Sequence, residues 1–308
     1  MSRGKVVALV LVVLIAGGLV AGYALDPDGR LKGWVNGEPF FAGRSASAWA
    51  ADLRGPDEND RALAAERLKS GGGDAVPVLS ALLAAPGNPE PRWRAADVLG
   101  QMGPSAKPAG PALVAALNDP DPLVPGVAAK AIGKLAPDVP GAVPALVKKF
   151  PDVEAIRAVA AFKAAGADAL PALRPLFDHA DVTVRRQAIR AVGKIGPPSL
   201  PLLPDLIALT KDKVPGVREQ AAEACGDIGP QAAAAVPALV VALKDPDWKV
   251  RRDAVRALGQ MKAAAASAKA EVAALKNDQE AEVKAAAEKA LRQLEDTDLT
   301  GTRRPDGK

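Results

Sequence analysis

Eight segments of this chain carry one short pattern, which restricts it to folds built by stacking a single unit. The clearest are Val184-Arg185-Arg186-Gln187-Ala188, Val217-Arg218-Glu219-Gln220-Ala221 and Val250-Arg251-Arg252-Asp253-Ala254, with their first Arg residues 33 positions apart. Extended outward, the anchor positions are Arg61, Arg92, Pro125, Arg157, Arg185, Arg218, Arg251 and Lys284, at steps of 31, 33, 32, 28, 33, 33 and 33. Three residues past the anchor stands Ala each time: Ala64, Ala95, Ala128, Ala160, Ala188, Ala221, Ala254 and Ala287. Seven past it the residue is apolar: Leu68, Leu99, Ile132, Ala164, Val192, Cys225, Leu258 and Leu291. Such a period with helical spacing indicates a solenoid of stacked helix pairs.

Each repeat reads as two helices. The first opens near a proline (Pro77, Pro111, Pro144, Pro171, Pro204 or Pro237), where a first-turn N–H has no intrahelical partner to lose. A turn such as Lys244-Asp245-Pro246-Asp247 follows, its Asp placed to cap the second helix, which carries the anchor and ends near Leu258-Gly259. The fold class is therefore all-α, an α-solenoid or superhelix of about eight pairs. Composition agrees: residues are 49% hydrophobic but only 3% aromatic, so the core is made of small aliphatics. An Ala at a helix crossing allows the close end of the usual interaxial distance, about 8–10 Å.

The pattern resembles the HEAT repeat, in the short form also found in phycobilisome lyases. It is clearest at 178–196, 211–229 and 244–261, and the likeness covers roughly 45–295. The resemblance implies that each anchor Arg pairs with an Asp near a turn, with Asp181, Asp212 or Asp245 as candidates, and that Pro125 leaves a rung empty. It also implies that the second helices line the concave surface. The lead-in, Arg44 followed by Ser45-Ala46-Ser47-Ala48-Trp49, is similar to that of membrane-tethered bacterial HEAT proteins. Trp49 and Leu53, one helical turn apart, would cap the core.

Before the repeats lies an uncharged stretch at 6–25, preceded by Arg3 and Lys5 in a basic tail at 1–5. Twenty residues at 1.5 Å rise span about 30 Å, the thickness of a bilayer core. The stretch reads as a transmembrane anchor with the N-terminus cytoplasmic and the repeats extracytoplasmic. The alternative is a signal peptide cleaved near Ala24, which leaves a secreted or periplasmic protein. Residues 26–44 read as a linker and 296–308 as a disordered tail.

Candidate chemistry is sparse. His179, the one histidine, and Cys225, the one cysteine, read as a turn residue and a small buried hydrophobe. No catalytic, cofactor or metal site is expected. Gly71-Gly72-Gly73 lacks the Lys and Ser/Thr of a phosphate loop and reads as a loop. The Asp-Pro-Asp triplets at 26–28, 119–121 and 245–247 read as helix-capping turns.

The second helices carry a charge pattern at one, five and nine positions past the anchor, a single helical face. It runs Arg186, Arg190 and Lys194, then Glu219, Glu223 and Asp227, then Arg252, Arg256 and Gln260. This is either a partner-reading groove or a set of inter-repeat ion pairs. Trp93 shares that register, and Trp248 stands at a helix start. The acidic middle stripe and the net charge of +4 argue against nucleic acid. Function is then expected to be non-catalytic: a membrane-tethered HEAT scaffold binding a protein partner through its curved surface, with no small-molecule substrate. A lyase-type HEAT protein handling a bilin or other chromophore is the first alternative, and a DNA-repair-like HEAT module the second.

Overall fold

Alternation of short apolar helices with Asp-rich turns produces the expected pairs. The structure is a computed structural model that describes residues 25–295, so the expected tail and all of the apolar stretch but Leu25 lie outside it. The chain divides into a first unit ending at Pro140 and a second beginning at Gly141. The first holds α1 (Arg30–Asn36), strands β1 (Phe40–Phe41) and β2 (Arg44–Ser45), then α2 (Ala46–Leu53), α3 (Glu58–Ser70), α4 (Val76–Leu83), α5 (Glu90–Met102), α6 (Gly110–Ala116) and α7 (Leu123–Leu135). The second holds α8 (Ala142–Val147), α9 (Val153–Ala161), α10 (Leu170–Leu173), α11 (Val182–Ile195), α12 (Leu203–Leu209), α13 (Pro215–Ile228), α14 (Val236–Ala242), α15 (Trp248–Met261), α16 (Lys269–Ala274) and α17 (Ala281–Glu295). From α2 onward these make eight pairs among the described residues.

The all-α expectation needs one correction, a hairpin in which Phe40 lies opposite Ser45 and Phe41 opposite Arg44. Its two turn residues, Ala42 and Gly43, both have positive φ, at 50° and 75°, as a two-residue turn matched to strand twist requires. Residues 26–44, expected as a linker, thus contain a helix and a hairpin. They pack on α2 through Trp49, whose indole N–H donates to the Phe41 carbonyl oxygen at 3.1 Å. Trp49 and Leu53 are buried, as their spacing suggested. Pro215–Ala242 is apolar enough on average to cross a membrane, but Gly229, at φ +83°, breaks it into α13 and α14.

The fourth repeat departs from the sequence register. Its second helix, α9, has 9 residues, against 14 in α11, α13 and α15. Residues of positive φ end these helices at Lys163, Gly196, Gly229 and Lys262, 33 apart, which places the fourth anchor at Asp152 rather than Arg157. The equivalent Ala and apolar positions are then Ala155 and Val159, both fully buried, while Ala160 is half-buried and Ala164 exposed. The missing turn lies at the start of α9, so counting from the Arg misread it. With that correction all eight Ala three past the anchor are buried.

The closest backbone approach lies elsewhere. Gly193, Gly226 and Gly259, eight past their anchors, face Ala224, Ala257 and Ala290 of the next repeat. A Cβ on them would stand 2.7, 2.6 and 2.9 Å from those Cα atoms. Gly100 meets Ala131 in the same way at 3.1 Å. Successive second helices therefore touch along a Gly–Ala seam.

Turns are fixed by a ladder of charged bonds. Arg218 donates through Nε and Nη2 to Asp245, at 2.7 and 2.9 Å, and through Nη1 to the Asp212 carbonyl oxygen of its own turn at 2.9 Å. Arg251 does the same with Asp278 (2.8 and 2.8 Å) and the Asp245 carbonyl oxygen (2.9 Å). Arg92 does so with Asp119 (2.6 and 3.0 Å) and the Gly87 carbonyl oxygen (2.8 Å). Each Asp lies 27 residues past its Arg and also accepts the backbone N–H two residues on. Of the three aspartates expected here, only Asp245 serves in a rung. Asp181 caps α11, and Asp212 accepts from the Val214 N–H without pairing with Arg185, which keeps only its own turn's carbonyls. His179 occupies the ladder position where other repeats have Asp, and its Nδ1 accepts the Asp181 N–H at 3.1 Å.

Two outcomes follow from this packing. Gly226→Ala should overpack the seam and cost about 1–3 kcal/mol in chemical denaturation. Gly126→Ala in α7, where a Cβ meets nothing within 4 Å, should gain about 0.5–1 kcal/mol from the stiffer unfolded chain. Equal effects at the two sites would refute the seam. The second outcome concerns acid. Burial raises the Asp119 and Asp245 carboxyls, but their Arg partners and backbone N–H donors outweigh it, and Arg251 holds Asp278 low directly. A carboxyl lowered in the fold contributes stability that is complete above its unfolded pKa, ~3.9, and is lost as pH falls through the folded value. Urea melts should therefore stay level from pH 7 to about 5 and fall below about 4, with a shallower fall in Asp278→Asn. An identical fall in both proteins would contradict the ladder's role.

Candidate functional site

The second helices of the second unit turn one charged face outward; rungs tie α13 to the turn before α15 and α15 to the turn before α17, and α9 and α11 have none. On that face the expected plus-minus-plus pattern closes on itself. Lys194 bridges Glu223 and Asp227 of the next repeat, at 3.0 and 2.8 Å. Glu219 takes Arg252 at 3.1 Å from one side and Arg186 at 3.7 Å from the other. Asp253, which the charge pattern overlooked, collects Arg252 at 2.8 Å and Arg256 at 3.2 Å. The inter-repeat pairing expected as one alternative is thus formed.

Depth separates the two signs in part: Arg252 and Lys194 are sunk among the acids, at 19 and 35% exposure, and Glu223 keeps 31%. The Asp227, Glu219 and Asp253 side chains retain 18, 19 and 8% exposure, whereas Arg186 and Arg256 retain 44 and 56%. Arg190 is exposed and forms no ion pair among the described residues. These groups surround a polar cleft of about 340 Å³. Burial first, then the nearby Asp253 charge, pushes the Glu219 carboxyl up against the pull of Arg186 and Arg252. Burial lowers Lys194, but its bonds to Asp227 and Glu223 outweigh that and hold the ammonium charged. The floor is a layer in which Glu219, Asp227 and Asp253 are paired with Arg252 and Lys194, and the Arg186, Arg190 and Arg256 guanidinium groups stand further out.

The corrected register adds Arg157, one repeat before Arg190 on the same row. Arg157, Ala160, Gln187 and Arg190 line an adjoining cleft of about 410 Å³. Arg157 pairs only locally, with Glu154 at 2.8 Å. Counting back 33 residues from Arg190 was the signal that would have found it.

Other candidates fall outside this face. Trp93 belongs to the first unit and lies half-buried beneath the Arg94 guanidinium, 4.5 Å from its ring centre. Trp248 stands at the start of α15 under Arg252, at 5.3 Å. Cys225 is buried, and burial pushes its thiol up to about 12, so it offers no thiolate near neutrality. Gly72–Ala75 forms a 3₁₀ turn leading into α4. Among the described residues no three His, Cys, Asp or Glu side chains group as metal ligands would.

A family profile described as HEAT repeats matches residues 76–162, 150–214, 170–236 and 203–292. Among curated proteins nothing matches. Among solved structures, an engineered protein is 23% identical with a TM-score of 0.51, over 81% of this chain and 78% of that one. The complex of CpcE and CpcF of phycocyanin lyase from Nostoc sp. PCC7120 is 21% identical with a TM-score of 0.42, over 81 and 94%. A designed armadillo repeat protein in complex with the peptide (KR)4 is 21% identical with a TM-score of 0.40, over 80 and 98%. At such identity the engineered protein speaks to the fold alone.

Proposed function

The chain belongs to the HEAT-repeat family, and from that premise we propose a non-catalytic scaffold, tethered to a membrane by residues 6–25, that binds an acidic segment of a protein partner. The observation that carries the partner's charge is the row of exposed arginines on the second-unit face. On α9, α11, α13 and α15 the exposed arginines are Arg157, Arg186, Arg190 and Arg256, with Glu154 and Glu223 beside them at 37 and 31% exposure. The acids below are already paired, so they add little repulsion, and they hold Lys194 and Arg252 in fixed positions. Guanidinium groups suit this task because their planar donors engage carboxylates two bonds at a time.

Among the described residues, the cysteine and the histidine are both taken up by the fold. Cys225 is sealed in the core, and His179 uses Nδ1 to close its own turn. The tether rests on the uncharged run at 6–25, long enough for a bilayer core of about 30 Å. The extracytoplasmic side is favoured for the repeats because short N-terminal tails with basic residues, here Arg3 and Lys5, usually stay cytoplasmic, although Arg30 and Lys32 balance them in number beyond the run.

Cross-linking pull-down of tagged protein tests the partner. Arg186→Glu/Arg190→Glu/Arg256→Glu should lose the partner that the wild type retains, with affinity reduced ~tenfold or more. Wild-type capture should also weaken as salt screens the exposed rim. Identical capture by both proteins would overturn the groove, and recovery of the wild type in the soluble cytoplasm would overturn the tether.

A further inference from the structure

Helix α1 is pinned on one side and bare on the other. Gly29 and Gly33, one turn apart, form the pinned side, where a Cβ on either would collide with Ser45. The Asp26 carboxylate accepts the backbone N–H groups of Arg30 and Lys32, at 2.8 and 2.9 Å. Arg30 Nε donates to the Gly43 carbonyl oxygen at 2.9 Å, and Arg44 reaches Asp28 at 3.3 Å. Glu38 N–H donates to the Gly33 carbonyl oxygen at 2.8 Å. Through the hairpin and Trp49, α1 is thereby fixed to the first repeat.

The opposite side carries Trp34 and Val35, 76 and 60% exposed, and Leu25 just upstream is 81% exposed. No described residue covers them, although a Trp side chain buries about 150–250 Å² when it finds a surface. The chain that precedes them identifies the cover. The uncharged run ends at Leu25, and five residues at about 3.6 Å bring Arg30 within roughly 18 Å of its end. Asp26, bonded to the start of α1, shortens that reach. A Trp with basic neighbours at this distance from a spanning segment matches the interfacial zone, where amphipathic rings sit at headgroup level. Arg30 and Lys32 suit anionic headgroups there.

We propose that the Trp34–Val35 face of α1 is seated in the headgroup region of the bilayer crossed by residues 6–25, making α1 a rigid collar that orients the first repeat at the membrane. This rests on the tether reading.

The test uses the full chain reconstituted into vesicles of phosphatidylcholine and phosphatidylglycerol, with lipids brominated high on the acyl chain as quenchers of Trp emission. The wild type should float with the vesicles, and brominated lipid should quench part of its emission. Trp34→Phe should float equally but lose at least half of the quenchable component, whereas Trp248→Phe should retain it. A floating wild type with the same quenching as Trp34→Phe overturns the collar and leaves the tether standing. Failure to float overturns both. Burial of Trp34 that rises with protein concentration and ignores the brominated lipid assigns the face to a second copy, which also overturns the collar.

Discussion

Each complete rung joins three groups: an arginine, the carbonyl oxygens of its own turn, and an aspartate 27 residues ahead. The arginine divides its donors between the two turns, so the spacing between repeats is set by one rigid guanidinium. The aspartate also accepts a backbone N–H within its turn, so the turn's shape and its link to the preceding repeat depend on one carboxylate. Closely paired charges out of water are not inherently better than an apolar contact, but they are far more demanding of geometry. Here that demand supports the register in which Gly226 and Gly259 meet Ala257 and Ala290, while Gly193 meets Ala224 as closely without a rung, and the slim core follows from that approach.

Most of this was legible from the pattern of residues. Period, helix pairing, the prolines at first-helix starts and the buried alanines all follow from side chains recurring at one spacing. What misled was composition. In a chain so rich in Ala, Arg157 with Ala160 imitates the motif five residues past the true register, so the short step of 28 showed that a turn was lost and the positive φ of Lys163 shows where. The Gly–Ala seam was hidden because a glycine near a helix end reads as a stop signal. The hairpin escaped because two-residue strands have no periodicity to detect.

The site was half legible. Alternating charge along the second helices was plain in the sequence, but depth was not, and depth decides what the face offers. Glu219, Asp227 and Asp253 are sunk by the same close helix approach that the seam enforces, and Arg252 with them, while Arg186 and Arg256 reach past them to solvent. The seam and the arrangement of charges are therefore linked, whereas the ladder reaches only the α13 and α15 side of this face. His179 shows how the fold tolerates a missing aspartate, with one imidazole nitrogen supplying the turn's acceptor while the rung itself is lost.

The most direct measurement is a double-mutant cycle between Arg218 and Asp245, using Arg218→Met, Asp245→Leu and the pair, with stability from urea denaturation at neutral pH. Their side chains are 14 and 9% exposed, so the bond is largely shielded from solvent. A coupling energy of about 2 kcal/mol or more is expected if the rung holds successive repeats in register. A coupling within ~0.5 kcal/mol, as in an ordinary surface ion pair, would contradict it.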